Sequence, residues 1–176
     1  MNGYQNRIAY VDLTLNNIEF NNVPVEDLYR YMGGRGLGIK LLYDLLPENT
    51  YPLSPENLLI FTVGPTCGTF IPASSRWNVT TKSPLTGILG SGNAGGSWGS
   101  ELKWAGYDGI VIKGKAEEPS ILVITDDHIE LIPAGDIWGK NTWETEDSIR
   151  SILKDPRYKV VSIGPPGEKL VPIANL

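Results

Sequence analysis

Cysteine and histidine are nearly absent from this chain: its 176 residues include one of each, Cys67 and His128. One cysteine excludes an intramolecular disulfide, and one thiol with one imidazole cannot complete a structural zinc site or ligate an iron–sulfur cluster unaided. So little cysteine points to the cytoplasm. The chain also lacks a basic run and a line of aromatics between lysines, and its formal net charge is −5. That balance argues against a nucleic-acid partner. No apolar stretch approaches the roughly 20 residues of a membrane span, and Met1-Asn2-Gly3-Tyr4-Gln5 is polar, so neither a membrane association nor a signal peptide is expected. Paired carboxylates, a Ser-His-Asp set and a P-loop are missing too. Any phosphate must be held by a local site.

What is present suffices for a core. Hydrophobic residues make up 41% of the chain and charged ones 20%, the proportions of one ordinary globular domain. Twenty Gly and 13 Pro punctuate β-rich runs instead of clustering, which indicates many turns. Asn6 to Asp12 and Ile18 to Asn21 read as a hairpin across Leu15-Asn16-Asn17. Pro24 opens a short helix, Val25 to Met32, closed by Gly33-Gly34. A second helix, Leu37 to Leu46, has Leu37, Leu41, Leu42 and Leu45 on one face. Leu58 to Val63 is an apolar strand ending in Gly64-Pro65, and Arg76 to Thr81 alternates as a strand before the turn Ser83-Pro84-Leu85-Thr86-Gly87.

Beyond residue 106 the pattern starts again. Gly109 to Lys113 and Ser120 to Thr125 read as strands, Asp126-Asp127-His128 as a turn and Ile129 to Ile132 as the returning strand. Asp136 to Leu153 reads as helix, and Val160 to Ile163 as a strand running into Gly164-Pro165. Asp27-Leu28-Tyr29 is matched by Asp136-Ile137-Trp138, and Gly64-Pro65 by Gly164-Pro165. The expected fold is therefore α+β: duplicated β-sheet halves with short helices, about 1–106 and 107–176, within one domain spanning 1–176. Repeats of about 100 residues indicate paired subdomains, not a solenoid. In the first half Arg76 and a glycine-rich loop follow Gly64-Pro65. After Gly164-Pro165 the chain reaches Leu176 before such a loop recurs, so the second half is expected to be truncated.

The most informative stretch is Ser74 to Gly99. Ser97 to Ala105 can be helical, with Ser97 as N-cap, Trp98 and Leu102 on one face and Gly106 just past its end. Gly92-Asn93-Ala94-Gly95-Gly96 would then sit at the helix start, where unpaired N–H groups and the helix dipole favour an anion and missing Cβ atoms let it approach. Arg76 lies nearby, and its guanidinium fork suits phosphate or a planar heterocycle.

Gly90-Ser-Gly92-Asn-Ala-Gly95 also matches the dinucleotide fingerprint G-x-G-x-x-G. That reading needs a buried strand just before the first glycine, where Ser83 to Gly87 is a turn. A third reading is a glycine-rich turn that merely lets sheet and helix pack closely. Gly33-Gly34-Arg35-Gly36 reads as a tight helix junction in preference to a second anion site. Cys67 reads as a small buried residue, His128 as an exposed turn residue, and Glu144, Glu146 and Asp147 as the outer face of a helix.

Several co-linear motifs carry a resemblance. Arg76-Trp-Asn-Val-Thr-Thr-Lys-Ser-Pro-Leu-Thr-Gly, Asn93-Ala-Gly-Gly and Glu101-Leu-Lys-Trp-Ala-Gly-Tyr-Asp, with Met32-Gly-Gly-Arg-Gly-Leu-Gly, Leu53-Ser-Pro-Glu-Asn, Lys113-Gly-Lys-Ala-Glu and Ser162-Ile-Gly-Pro-Pro-Gly-Glu, span the whole chain. The chain resembles the N-terminal domain of the tungsten-dependent aldehyde ferredoxin oxidoreductases. The resemblance implies a duplicated platform for a tungsten (or molybdenum) bis-pyranopterin, one pterin against each half, with magnesium bridging the pterin phosphates. It implies that Arg76 contacts the pterin and that Asn93, Ala94, Gly95 and Gly96 meet the phosphate region largely through their backbones, Asn93 reaching magnesium through its carbonyl.

The resemblance further implies a parent enzyme that oxidises aldehydes to acids and passes electrons through a [4Fe–4S] cluster to ferredoxin. Cluster ligands, catalytic acid and base lie on later domains or a companion subunit, so no residue of this chain is expected to be catalytic and the chain alone is expected to be inactive. A homodimer is among the implied partners. The competing expectation is a stand-alone binding or assembly protein of the same fold, without turnover.

Overall fold

The computed structural model describes residues 2–126 and 128–176. The chain opens with a hairpin, β1 (Ile8–Asp12) against β2 (Asn17–Asn21), turned by Asn16 at φ 48°. Asp12 Oδ1 accepts the amides of Thr14 and Leu15 at 3.0 and 3.1 Å, the local side-chain bonding that favours aspartate at turns. α1 (Val25–Tyr31) follows Pro24 and closes at Met32, φ 59°. α2 (Gly34–Leu45) starts earlier than the apolar periodicity predicts and buries Leu37, Gly38 and Leu42.

Next come β3 (Leu59–Val63), β4 (Trp77–Lys82), β5 (Leu89–Ala94), α3 (Trp98–Trp104) and β6 (Gly109–Lys113). The six strands form one sheet in the order β2-β1-β6-β3-β4-β5, with β1 and β6 parallel and every other pair antiparallel. Residue alternation sends Ile8, Ile60 and Val111 towards α1 and α2, where they pack with Leu28, Leu37 and Leu42. Ala9, Val11, Phe61, Trp77 and Ile110 pack on the opposite face with Leu102 of α3. Phe61, Trp77 and Trp98 form an aromatic group there, Trp77 and Trp98 with centroids 4.9 Å apart. One fully buried ion pair, Lys103 with Asp108, ties the end of α3 to the start of β6.

The rest of the chain forms a hairpin of β7 (Ser120–Ile124) and β8 (Ile129–Pro133), then α4 (Thr142–Leu153) and the short α5 (Gly164–Glu168). Two expectations are corrected here. The helix expected from Asp136 onward is a 3₁₀ turn at Gly135–Ile137, a break containing Gly139 at φ 90°, and α4, which Asn141 and Glu144 start with a reciprocal capping box. Val160 to Ile163 is not a strand, because no described strand lies beside it to complete a ladder. The turn expected at Asp126-Asp127-His128 includes Asp127, which lies outside the described residues.

The fold is α+β, a sheet with a few short helices, as the sequence predicts. β6 sits between β1 and β3, so the unit built around the six-stranded sheet runs past residue 106 to Lys113. A cavity of about 800 Å³ separates Leu59, Phe61, Ile110 and Ile112 of this sheet from β7, α4 and residues 160–164. Neither Arg76 nor any of residues 93–96 lines it.

Candidate functional site

The glycine-rich stretch is not a free loop. Ser91 to Ala94 belong to β5, paired with β4 in the register Trp77↔Ala94, Asn78↔Asn93, Val79↔Gly92 and Thr80↔Ser91. β5 is one of the two edge strands of the sheet, so alternate backbone N–H and C=O groups face away from β4. Two neighbouring β4 side chains grip it from opposite faces. Trp77 Nε1 donates to the Gly95 carbonyl at 3.0 Å. Asn78 Nδ2 donates to the Gly92 carbonyl at 2.8 Å, to Asn93 Oδ1 at 2.9 Å and to Ser91 Oγ at 3.0 Å.

Arg76 immediately precedes β4, so the register that pairs Trp77 with Ala94 brings it to the sheet end where β5 gives way to Gly95-Gly96. It is exposed and forms no ion pair among the described residues. The structure thus brings Arg76, Asn93, Ala94, Gly95 and Gly96 to one end of one sheet edge.

Gly92 and Gly95 have no positive φ, and a Cβ built on either meets nothing within 4 Å. The fold does not need glycine at these positions. What their hydrogens leave open is space outside the protein, along a strand whose end the register sets opposite the start of β4, where Arg76 lies; a guanidinium and free backbone amides suit an anion. Gly96 differs, since its φ of +79° requires the left-handed region. Asn93 keeps its side chain turned to Asn78, leaving its backbone for any ligand at the edge.

The helix contributes less than the sequence suggests. α3 has seven residues, and Ser97 occupies the N-cap position at φ −91°, ψ −12° without a side-chain capping bond. A two-turn helix has only a small dipole, so the amides and open space of the strand end carry the case instead. The dinucleotide reading falls as well: Gly90 to Ala94 lie within an antiparallel edge strand, not in a turn between a buried parallel strand and a helix.

The remaining candidates separate cleanly. A Cβ on Gly33 would come 2.7 Å from the Val63 carbonyl and one on Gly36 2.4 Å from that of Tyr31, so Gly33-Gly34-Arg35-Gly36 is a tight helix junction. Cys67 is buried; burial pushes its thiol pKa up, partly opposed by Ser100, Lys103 and the Gly68 amide. His128 is exposed, with Nε2 3.6 Å from Glu130 Oε2. Glu144 caps α4, and Glu146 pairs with Arg150 at 2.5 Å. Among the described residues no cluster of His, Cys, Asp or Glu could hold a metal ion.

Sequence reasoning passed over Asn78, Thr80 and Gly38. The available signal was a polar residue at an inward position of an otherwise alternating strand.

Comparison with known proteins places the chain in a family. The family model described as "Aldehyde ferredoxin oxidoreductase, N-terminal domain" matches residues 8–176, and the chain belongs to that family. It is 46% identical over 176 residues to the tungsten-containing aldehyde ferredoxin oxidoreductase of Pyrococcus furiosus, covering 100% of this chain and 29% of that protein. The Thermococcus kodakarensis protein of the same name is 41% identical over 176 residues, with the same coverage of 100% and 29%. Among solved structures, the active-site complex BamBC of benzoyl coenzyme A reductase with 1,5-dienoyl-CoA matches with a TM-score of 0.92 at 40% identity, over 94% of this chain and 25% of that one. The chain therefore spans less than a third of these relatives.

Proposed function

We propose that this chain is a seat for a pyranopterin cofactor in a tungsten or molybdenum aldehyde:ferredoxin oxidoreductase. The supporting observation is the side-chain-free edge at Gly92 and Gly95, glycines that the fold itself does not require, on the strand whose end lies level with Arg76. When bound, the metal centre supplies the oxidation of an aldehyde to its carboxylic acid, and a [4Fe–4S] cluster held elsewhere in the parent carries electrons to ferredoxin. This chain's own residues bind and orient. Arg76 offers its planar fork to the pterin, Asn93, Ala94, Gly95 and Gly96 present backbone groups to the phosphate, and the Asn93 carbonyl is one oxygen ligand for magnesium, a hard cation that favours oxygen. Chemistry belongs to the remaining domains or a companion subunit, and the assembled enzyme works in the cytoplasm.

The chain alone should hold the cofactor weakly. A cofactor seated on two halves gains about 10²- to 10⁴-fold from the second, tethered contact. Contacts open to water are also weaker than enclosed ones. The test is to titrate inorganic pyrophosphate into the chain while following backbone amides by NMR. Shifts at Asn93 to Ser97 that disappear in Arg76→Ala support the seat; shifts confined to Gly33 to Gly36, or tight pterin binding by this chain alone, contradict it.

A further inference from the structure

We infer that Asn78 is the positioning residue that sets the geometry of the cofactor-facing strand end, acting from beneath β5 and never touching the ligand. The inference rests on the cofactor-seat reading of residues 93–96. Asn78 is 1% exposed and lies in a polar layer with Thr62 and Thr80, both fully buried, under α2. An apolar side chain is the usual solution where a helix covers a sheet, and a buried amide is tolerated only when its hydrogen bonds are met.

Here they are met in one direction only. The Gly92 carbonyl can only accept, which fixes Nδ2 towards β5, and Thr80 Oγ1 donates to Asn78 Oδ1 at 2.6 Å, which holds the amide in that orientation. The helix above is shaped to admit this layer: a Cβ on Gly38 would lie 2.6 Å from Thr80 Oγ1 and 3.2 Å from both Asn78 Oδ1 and Thr62 Oγ1. Glycine inside a helix costs stability relative to alanine. The polar layer offsets that cost by holding a strand that cannot hold itself. β5 contains Gly90 and Gly92, has no described strand on its outer side and contributes few side chains to the core. Fixing the Gly92 carbonyl and the Asn93 side chain fixes the direction of the outward backbone from Asn93 to Gly95.

The test compares Asn78→Leu, Thr80→Val and the control Thr62→Val in the full chain. Thr62 donates to the Gly34 carbonyl at 2.8 Å, belongs to the same layer and is not bonded to β5. Hydrogen exchange at the amides of 91–95 should quicken about tenfold in Asn78→Leu and less in Thr80→Val, and stay unchanged in Thr62→Val. Pyrophosphate affinity, read from the amide shifts of residues 93–97, should fall in the same order at equal loss of thermal stability. Should Asn78→Leu fail to fold, Thr80→Val decides by the same readouts. Faster exchange with wild-type pyrophosphate affinity would make Asn78 purely structural and overturn the inference, as would unchanged exchange. A wild-type chain that shows no pyrophosphate shifts at 93–97 overturns the cofactor-seat reading itself, and this inference with it.

Discussion

Replacing Asp108 by alanine tests the buried ion pair that ties α3 to β6. Its carboxylate and the Lys103 ammonium are 1% and 5% exposed at the side chain. Asp108 Oδ2 also accepts the Asn6 amide at 2.6 Å, and the backbone of Asp108 bonds to Arg7 and Val63. Asp108→Ala leaves a buried cation and a buried N–H without their partner. Breaking such a pair costs about 3–5 kcal/mol, a large share of the 5–15 kcal/mol of a typical domain. For a domain of this size that is a fall of about 6–20 °C in Tm. The double variant Lys103→Met/Asp108→Leu removes both charges and leaves only the Asn6 amide unmet, a cost of about 1–3 kcal/mol. Urea unfolding followed by tryptophan fluorescence on the wild type, Asp108→Ala, the single variants Lys103→Met and Asp108→Leu, and their double variant yields the coupling energy. A loss below about 1 kcal/mol in Asp108→Ala, or a double variant at the sum of the singles, would refute the reasoning.

Three further outcomes are expected. Gly38→Ala should lower stability by about 1–3 kcal/mol in thermal unfolding, because its Cβ enters the space of Thr80 Oγ1, whereas Gly92→Ala should stay within about 0.5 kcal/mol of wild type and weaken pyrophosphate binding. Hydrogen bonds from the Arg157 side chain and then its backbone amide depress the Asp155 pKa from 3.8 to about 2, so its contribution to stability is complete above 3.8 and lost as pH falls through about 2. A carboxyl-carbon NMR titration of Asp155 with a midpoint near 3.8 would contradict this. Cys67, buried with a raised pKa, should react with a thiol reagent only on unfolding; rapid modification of the native chain at pH 8 would show the packing around Ser100 and Lys103 to be looser than described.

Elements whose cause is local could be read from the sequence. The β1–β2 hairpin declares itself through Asn16 and Asn17 between apolar runs, and β3 through its continuous apolar residues. β5 could not be read that way. Gly90 and Gly92 have no strand propensity, and what makes the segment a strand is the ladder to β4 and the grip of Trp77 and Asn78. The insertion of β6 between β1 and β3 is likewise a long-range pairing that no local pattern encodes. Val160 to Ile163 fails in the opposite sense: it has the composition of a strand and no described partner strand. The start of α4 was readable and passed over, since Asn141-Thr-Trp-Glu144 has the spacing of a capping box. For the site, the residue types at Arg76 and 92–96 pointed to an anion, but the supposed mechanism, a helix start, gives way to a glycine edge strand. Asn78 escaped notice because one buried amide becomes meaningful only beside its three acceptors.

The most direct test of the cofactor-seat account is an experimental density map of the intact parent enzyme with its cofactor in place. The account predicts pterin density against Arg76, a phosphate against the backbone of Asn93 to Gly96, and Asn78 bonded to Gly92 without touching the ligand. Cofactor density remote from this edge, or resting on Gly33 to Gly36, would contradict it.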